Sequence, residues 1–440
     1  MSWTNLSPAT LRGLESRLEV PFYIYDTPSV SELYNLCQSA ARSILEGEWP
    51  PYLPKGMGDV NKKNYGTNER KGCLSCLGVV ADEVYWLDQL ANDSWRVADP
   101  DKALVFVIPV YPVLSLERAC EGRSRKKTHK LAAEAVKEIV GMPYFRRNGG
   151  LDHIVMGIDW RFRYAGGIRD ALGYEFATLA KNITWGRKLA ERDLGHIGCA
   201  VTAPFTSSLT FLQKAYQPFE KETLLERQLI EPEDVFEDDK LSTSLNPPSK
   251  YDWFARDYLM FFQGFKHLTG WDFVAEFCAE GEGDDVTSSR YVDGIRTRTL
   301  NVLITEAKDM FKYAIPFQCE IPWQKFTYVV DGSEYKQDPR KALVPILKEI
   351  YTDHAAVKEK LRLMDYYSRK ILWDAPNSTT ARSVLRAMTR QCLTTEIKAD
   401  FLRRTSQITG GNRSDHRASG MFLSCRHSQS STVREVPILG

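Results

Sequence analysis

The 440-residue chain has no long hydrophobic run, no excess of charge of either sign, no phosphate-binding glycine motif and no cysteine spacing that declares a framework. Its longest apolar run, Ala103 to Leu114, contains two prolines and falls short of the roughly 20 residues a spanning helix needs. The N-terminal stretch MSWTNLSPATLRGLESRLEV has no apolar signal-peptide core. Taken as complete, the chain is expected to be soluble and cytoplasmic. A net charge of +1 gives no global case for nucleic acid or an anionic membrane as partner. The basic run Arg123 to Lys130 (RSRKKTHK) therefore reads as a solvated loop. Neither Gly-x-x-x-x-Gly-Lys-Ser/Thr nor Gly-x-Gly-x-x-Gly occurs, which leaves a nucleotide-dependent ligase without support. Nine cysteines leave one unpaired if the rest form disulfides. Cys73 and Cys76 form the only Cys-x-x-Cys, with no second pair at zinc spacing, so they read as a structural pair or as free thiols.

What is present is the composition of a soluble globular protein long enough for two domains. Aromatics reach 11%. Five Asn-x-Ser/Thr sequons stand at Asn5, Asn92, Asn182, Asn377 and Asn412, a weak sign of a secretory history. Pro21 to Tyr25, Ala103 to Val110, His153 to Ile158 and Cys199 to Ala203 are apolar and β-branched or aromatic, and read as buried strands. Lys127 to Val140 reads as a helix with Leu131, Ala135 and Ile139 on one face. This alternation implies an α/β fold with a parallel sheet. The acidic, then Ser/Asn/Pro-rich stretch Glu231 to Lys250 reads as a linker. Beyond it, Tyr258 to Phe262, Leu300 to Ile304 and Phe326 to Val330 read as strands, and Ala342 to Tyr367 as helix opened or kinked at Pro345. Domain boundaries follow at 18–230, 231–250 (linker) and 251–373, with a disordered tail over 404–440.

Several stretches carry a family resemblance. They are Val20 to Pro28 (VPFYIYDTP), Ser94 to Tyr111 (SWRVADPDKALVFVIPVY), Pro143 to Arg163 (PYFRRNGGLDHIVMGIDWRFR), Phe277 to Ile304 (FCAEGEGDDVTSSRYVDGIRTRTLNVLI) and Ile315 to Gly332 (IPFQCEIPWQKFTYVVDG). In this order they resemble the motifs of exostosin-type glycosyltransferases. The resemblance implies two Rossmann-like halves facing across a cleft, the arrangement called GT-B, with the acceptor side N-terminal and the donor side C-terminal. It also implies transfer of a sugar from a nucleotide-sugar to a glycan or glycoprotein, usually with inversion and often in the Golgi. A uridine diphosphate sugar is the expected co-substrate, and a homo- or heterodimer is an arrangement the family allows.

The residues supply a chemistry for that reading. Gly281 and Gly283 permit close backbone approach, and a helix start at Ser288 would aim amides at a phosphate. With Asp284 they form the donor loop. Arg290 would meet the diphosphate, and Asp293, one turn on, the ribose hydroxyls. Asp152, His153 and Asp159 are the candidates for the base that takes the acceptor proton, and the sequence does not rank them. Asp99-Pro100-Asp101 has the form of a metal-nucleotide Asp-x-Asp but reads as a cap, so no essential metal is expected. Departures from the family are Arg298, Thr299, Asn301 and Gly281. The short span between Gly264 and Phe277 implies that the C-terminal half has lost a strand and helix. A competing alignment puts Gly294-Ile295-Arg296 in the helix after that strand and deletes the donor motif. A trimmed, non-catalytic glycan- or partner-binding relative is the second reading.

Overall fold

The apolar runs become short strands of a parallel sheet. The computed structural model describes residues 19–47, 78–121, 125–187, 195–206, 290–296, 300–305 and 315–408. Strands β1 (Phe22–Ile24), β2 (Val105–Val107), β3 (His153–Met156), β4 (Thr184–Arg187) and β5 (Cys199–Thr202) pair in parallel, in sequential order. The molecule is thus mixed α/β with a Rossmann-like parallel sheet. Strand β4 is the element that sequence patterning misses. Its residues, Thr-Trp-Gly-Arg, lack an apolar run, yet all four are buried. A Cβ at Gly186 would stand 2.7 Å from Met156 Sδ on the neighbouring strand, so a larger residue there would displace the Met156 side chain.

Helices α1 (Pro28–Asn35), α2 (Gln38–Glu46) and α3 (Gly78–Ala91) lie between β1 and β2. Helices α4 (Pro112–Leu116), α5 (Arg125–Gly141) and α6 (Pro143–Asn148) lie between β2 and β3, and α7 (Ala165–Ala180) precedes β4. The basic run expected as a loop opens α5 instead. Leu131, Ala132, Ala135 and Ile139 bury one face of that helix, which carries its exposed lysines with it. Right-handed crossovers between strands added in one direction return on one face. There α1, α5 and α7 pack side by side, with Phe145 and Phe176 against the rings of His153 and Trp185.

The other face is closed by α3 and by a helix from the far end of the chain. Short helix α8 (Arg290–Arg296) precedes a two-stranded parallel sheet, β6 (Val302–Thr305) and β7 (Tyr328–Asp331). Helices α9 (Gly332–Gln337), α10 (Pro339–Thr352), α11 (His354–Ile371), α12 (Thr380–Gln391) and α13 (Thr395–Ile408) follow. The helix does not open at Pro345, which sits inside α10. The helix ends instead at Asp353, whose carboxylate caps α11 by accepting from the Ala356 amide at 2.9 Å. Helix α12 packs on α3 and β5. Cys199 alternates with Ala200, the register partner of Trp185, so the Cys199–Cys392 disulfide at the end of α12 lies on the face away from Trp185. A second disulfide joins Cys37 to Cys120.

The segment after residue 371 is thus built into the N-terminal sheet. Gln89 of α3 donates to Trp373 O at 2.6 Å and accepts from the Ala381 amide at 3.0 Å. Arg404 to Ile408, expected to begin the tail, complete α13. Arg404 pairs with Asp400 and donates to Asp101 O at 2.5 Å. The linker 231–250, the strand expected at Tyr258 to Phe262, Cys73 and Cys76 lie outside the described residues.

Candidate functional site

A parallel α/β sheet offers ligands its carboxyl edge, where strand ends and helix starts leave polar backbone and side chains pointing outward. Here that edge is formed by Tyr25 to Thr27 after β1, Ile108 to Tyr111 after β2, Gly157 to Asp159 after β3 and Ala203 to Thr206 after β5. The described strand order contains no reversal, so no switch-point crevice divides the edge.

Asp159 stands on it. The residue caps the 3-10 turn Trp160–Arg163, and its Oδ1 accepts from the Arg161 amide at 2.8 Å and from Arg161 Nε at 2.7 Å. Its Oδ2 receives Arg161 Nη2 at 2.6 Å. The same Nη2 meets Glu117 Oε1, just beyond the C-terminus of α4. Burial works against the charge on Arg161, but the bonds and charges of Asp159 and Glu117 outweigh it and raise the guanidinium pKa. The side chain of Asp159 is 1% exposed, against 31% for Arg161 and 14% for Glu117, so a solute reaches the latter two.

Asp152 and His153 lie at the opposite edge. His153 opens β3, in register with Phe106. Its ring stacks on Phe106 at 4.8 Å and meets the edge of Phe145 at 4.9 Å. Asp152 Oδ1 lies 2.7 Å from Nδ1. A carboxylate only accepts, so Nδ1 carries the hydrogen and Nε2 takes the Tyr25 hydroxyl at 2.6 Å. Asn148 donates to the other oxygen of Asp152 at 2.5 Å. Both residues are buried. Gly149 and Gly150, at φ +61° and +92°, make the turn from α6 into this cluster. The structure therefore separates the three acceptor-side candidates, with Asp159 on the carboxyl edge and Asp152 and His153 beneath α6 at the amino edge.

Two acids that patterning did not single out complete the carboxyl edge. Asp82 and Glu83, in the first turns of α3, are fully buried. Asp82 Oδ1 accepts from both the amide and the hydroxyl of Thr206, the latter at 2.7 Å, while Oδ2 has no partner among the described residues. Burial pushes the Asp82 carboxyl up to about 8, against the lowering effect of the Thr206 bonds. Glu83 accepts from the amides of Val113 and Leu114 at 2.9 and 2.8 Å, closing the N-terminus of α4, and burial raises its pKa also. An adjacent pair of acids inside the apolar stretch Gly78 to Leu87 was the available signal.

On the donor side, Gly283, Asp284 and Ser288 lie outside the described residues. Arg290 and Asp293 sit one turn apart on α8. That helix is held by Arg296, which donates to both oxygens of Asp374 at 2.7 Å. Gly294 is pressed against Asn301, since a Cβ would meet Asn301 Oδ1 at 2.2 Å. The tripeptide Asp99-Pro100-Asp101 is a cap as expected. Asp99 accepts from the Asp101 amide at 3.0 Å, and Asp101 pairs with Arg147.

Residues 16–182 match the family model of the Exostosin GT47 domain. The matched stretch runs from just ahead of β1 to just ahead of β4 and contains the carboxyl-edge group. Arg290 and Asp293 lie beyond it. No curated protein matches the chain.

Proposed function

With residues 16–182 an exostosin-type glycosyltransferase domain, we propose that the protein transfers a sugar from a nucleotide-sugar to a glycan acceptor, with inversion. The observation that carries this reading is the Asp159–Arg161–Glu117 group on the carboxyl edge of the matched domain. In our reading the acceptor lies against this edge. Its hydroxyl oxygen attacks the anomeric carbon, the bond from that carbon to the diphosphate breaks, and the proton passes to a carboxylate. Asp159 is doubly held by Arg161 and serves to fix it, so Glu117 Oε2 is the accepting oxygen. Arg161 would donate to acceptor hydroxyls or to a uronate carboxylate.

The donor falls to the C-terminal half, in a GT-B arrangement. The loop with Gly283, Asp284 and Ser288 would approach the diphosphate, Arg290 would neutralise it as it leaves, and Asp293 would take the ribose. A uridine diphosphate sugar is the donor this set suits, without an essential metal. Disulfides persist in oxidising compartments, and the Cys37–Cys120 and Cys199–Cys392 bridges support the Golgi lumen that the family suggests. Among the described residues no helix is long and apolar enough to cross a membrane.

Calorimetry with uridine diphosphate tests the donor assignment. Binding without added metal, weakened by about 1.5–3 kcal/mol in Arg290→Ala, is expected from the loss of one charged hydrogen bond. Equal affinity in the variant, or an absolute need for manganese, contradicts it. Binding without any transfer would leave the non-catalytic relative as the better reading.

A further inference from the structure

Of the sequons, Asn92, Asn182 and Asn377 fall among the described residues, and all three side chains are exposed. Their places in the fold are related. Asn182 follows α7 and stands two residues ahead of Thr184, the first residue of β4, at the amino edge of the sheet. Asn92 follows the last residue of α3, and Trp95, three residues on, accepts from the amide of Phe22 at the start of β1 at 3.0 Å. Asn377 occupies the left-handed region at φ +53° in the turn ahead of α12. Its neighbour Ser378 accepts from Gln89 in the last turn of α3 at 3.1 Å, and Arg382 reaches back to Asp93 at 2.7 Å. Two sequons therefore flank the α3–α12 seam and the third marks the start of β4, while none stands on the carboxyl edge.

A sequon alone arises by chance. The independent observation is that the chain holds disulfides between cysteines 83 and 193 residues apart, which form and persist in an oxidising lumen, where asparagine glycosylation also takes place. We propose that the amino-edge surface bearing Asn92, Asn182 and Asn377 is N-glycosylated, which leaves the carboxyl edge bare. The co-substrate is an oligosaccharide carried on a lipid diphosphate. Asparagine Nδ2 bonds to its anomeric carbon, the carbon–oxygen bond to the diphosphate breaks, and the lipid diphosphate departs. The amide proton passes to a base of the transferring enzyme. Thr184, whose hydroxyl the sequon at Asn182 requires, is fully buried in β4. Transfer to Asn182 therefore precedes folding of the sheet, and the exposed asparagine then accommodates the glycan without disturbing it. Three glycans on one edge would also hold macromolecules off that edge and direct approach to the opposite one.

Mass mapping of the protein isolated from its own cells tests this, with no reliance on sugar transfer or nucleotide binding. Peptide-N-glycosidase in heavy-oxygen water converts each glycosylated asparagine to labelled aspartate. Label is expected at one or more of Asn92, Asn182 and Asn377, with the matching Asn→Gln variant migrating faster on a gel than the wild type. Unlabelled asparagine at all three, or label confined to Asn5 and Asn412, overturns the proposal.

Discussion

The Tyr25 hydroxyl and His153 Nε2 meet at 2.6 Å across 128 residues of sequence, joining the end of β1 to the start of β3 inside an aromatic box. Burial and the neighbouring Tyr144 hydroxyl raise the Tyr25 pKa, so this phenol stays protonated and donates. Tyr25→Phe removes that donor and leaves Nε2 buried without a partner, a loss of about 1–3 kcal/mol. Urea denaturation is expected to show a lowered midpoint with an unchanged slope. The folded variant should keep its affinity for uridine diphosphate, since the donor is assigned to the C-terminal half and neither Tyr25 nor His153 belongs to it. An unchanged midpoint would mean that the relay does not hold the sheet.

Asp82 makes stability depend on pH. Its carboxyl is raised from the ordinary 3.8 to about 8, so the native state holds this proton more tightly than the unfolded chain. Its contribution is therefore most favourable below pH 4 and is lost as pH climbs to about 8, by up to about 1.4 kcal/mol per unit. Asp82→Asn keeps an acceptor for Thr206 and stays neutral. The variant is expected to melt higher than the wild type at pH 8, with the gap closing toward pH 4. Parallel melting curves across that range would count against a protonated Asp82.

The sequence made the N-terminal half legible where burial leaves a pattern. β1, β2, β3 and β5 are apolar runs, and the spaced face of α5 reads directly as a helix. It failed where long-range geometry decides. Thr184 to Arg187 becomes a strand by pairing on both sides, with β3 and β5, although only Thr184 and Trp185 are strand-favouring residues. The pairing of Cys199 with Cys392 leaves no trace in spacing, and neither does the return of α12 to the N-terminal sheet. At the site, Asp159 was within reach of sequence reasoning but Glu117 was not, because Arg161 reaches Glu117 across 44 residues. The adjacent pair Asp152 and His153 looked equally chemical in one dimension. Only the direction of β3 shows that the pair and Asp159 occupy opposite edges.

The disulfide between Cys199 and Cys392 should be a main support of the N-terminal domain. It closes a loop of 193 residues, for which the chain-entropy model gives about 5 kcal/mol. Replacing both cysteines by serine is expected to lower the melting temperature, and a reductant should lower that of the wild type further than that of the variant, which keeps only the other bridges such as Cys37–Cys120. If the double variant and the wild type melt together under oxidising conditions, α12 is held by its packing and the Gln89 bridge without the disulfide.

Acceptor-dependent release of nucleoside diphosphate measures sugar transfer at the carboxyl edge directly. Purified protein would be supplied with uridine diphosphate sugars in turn, with and without a glycan acceptor, alongside Glu117→Gln and Asp152→Asn. Acceptor-dependent release is expected from the wild type and from folded Asp152→Asn, with a fall of roughly 10²–10⁴-fold in Glu117→Gln. Absence of acceptor-dependent release from every sugar nucleotide, or turnover by Glu117→Gln equal to the wild type, would contradict it.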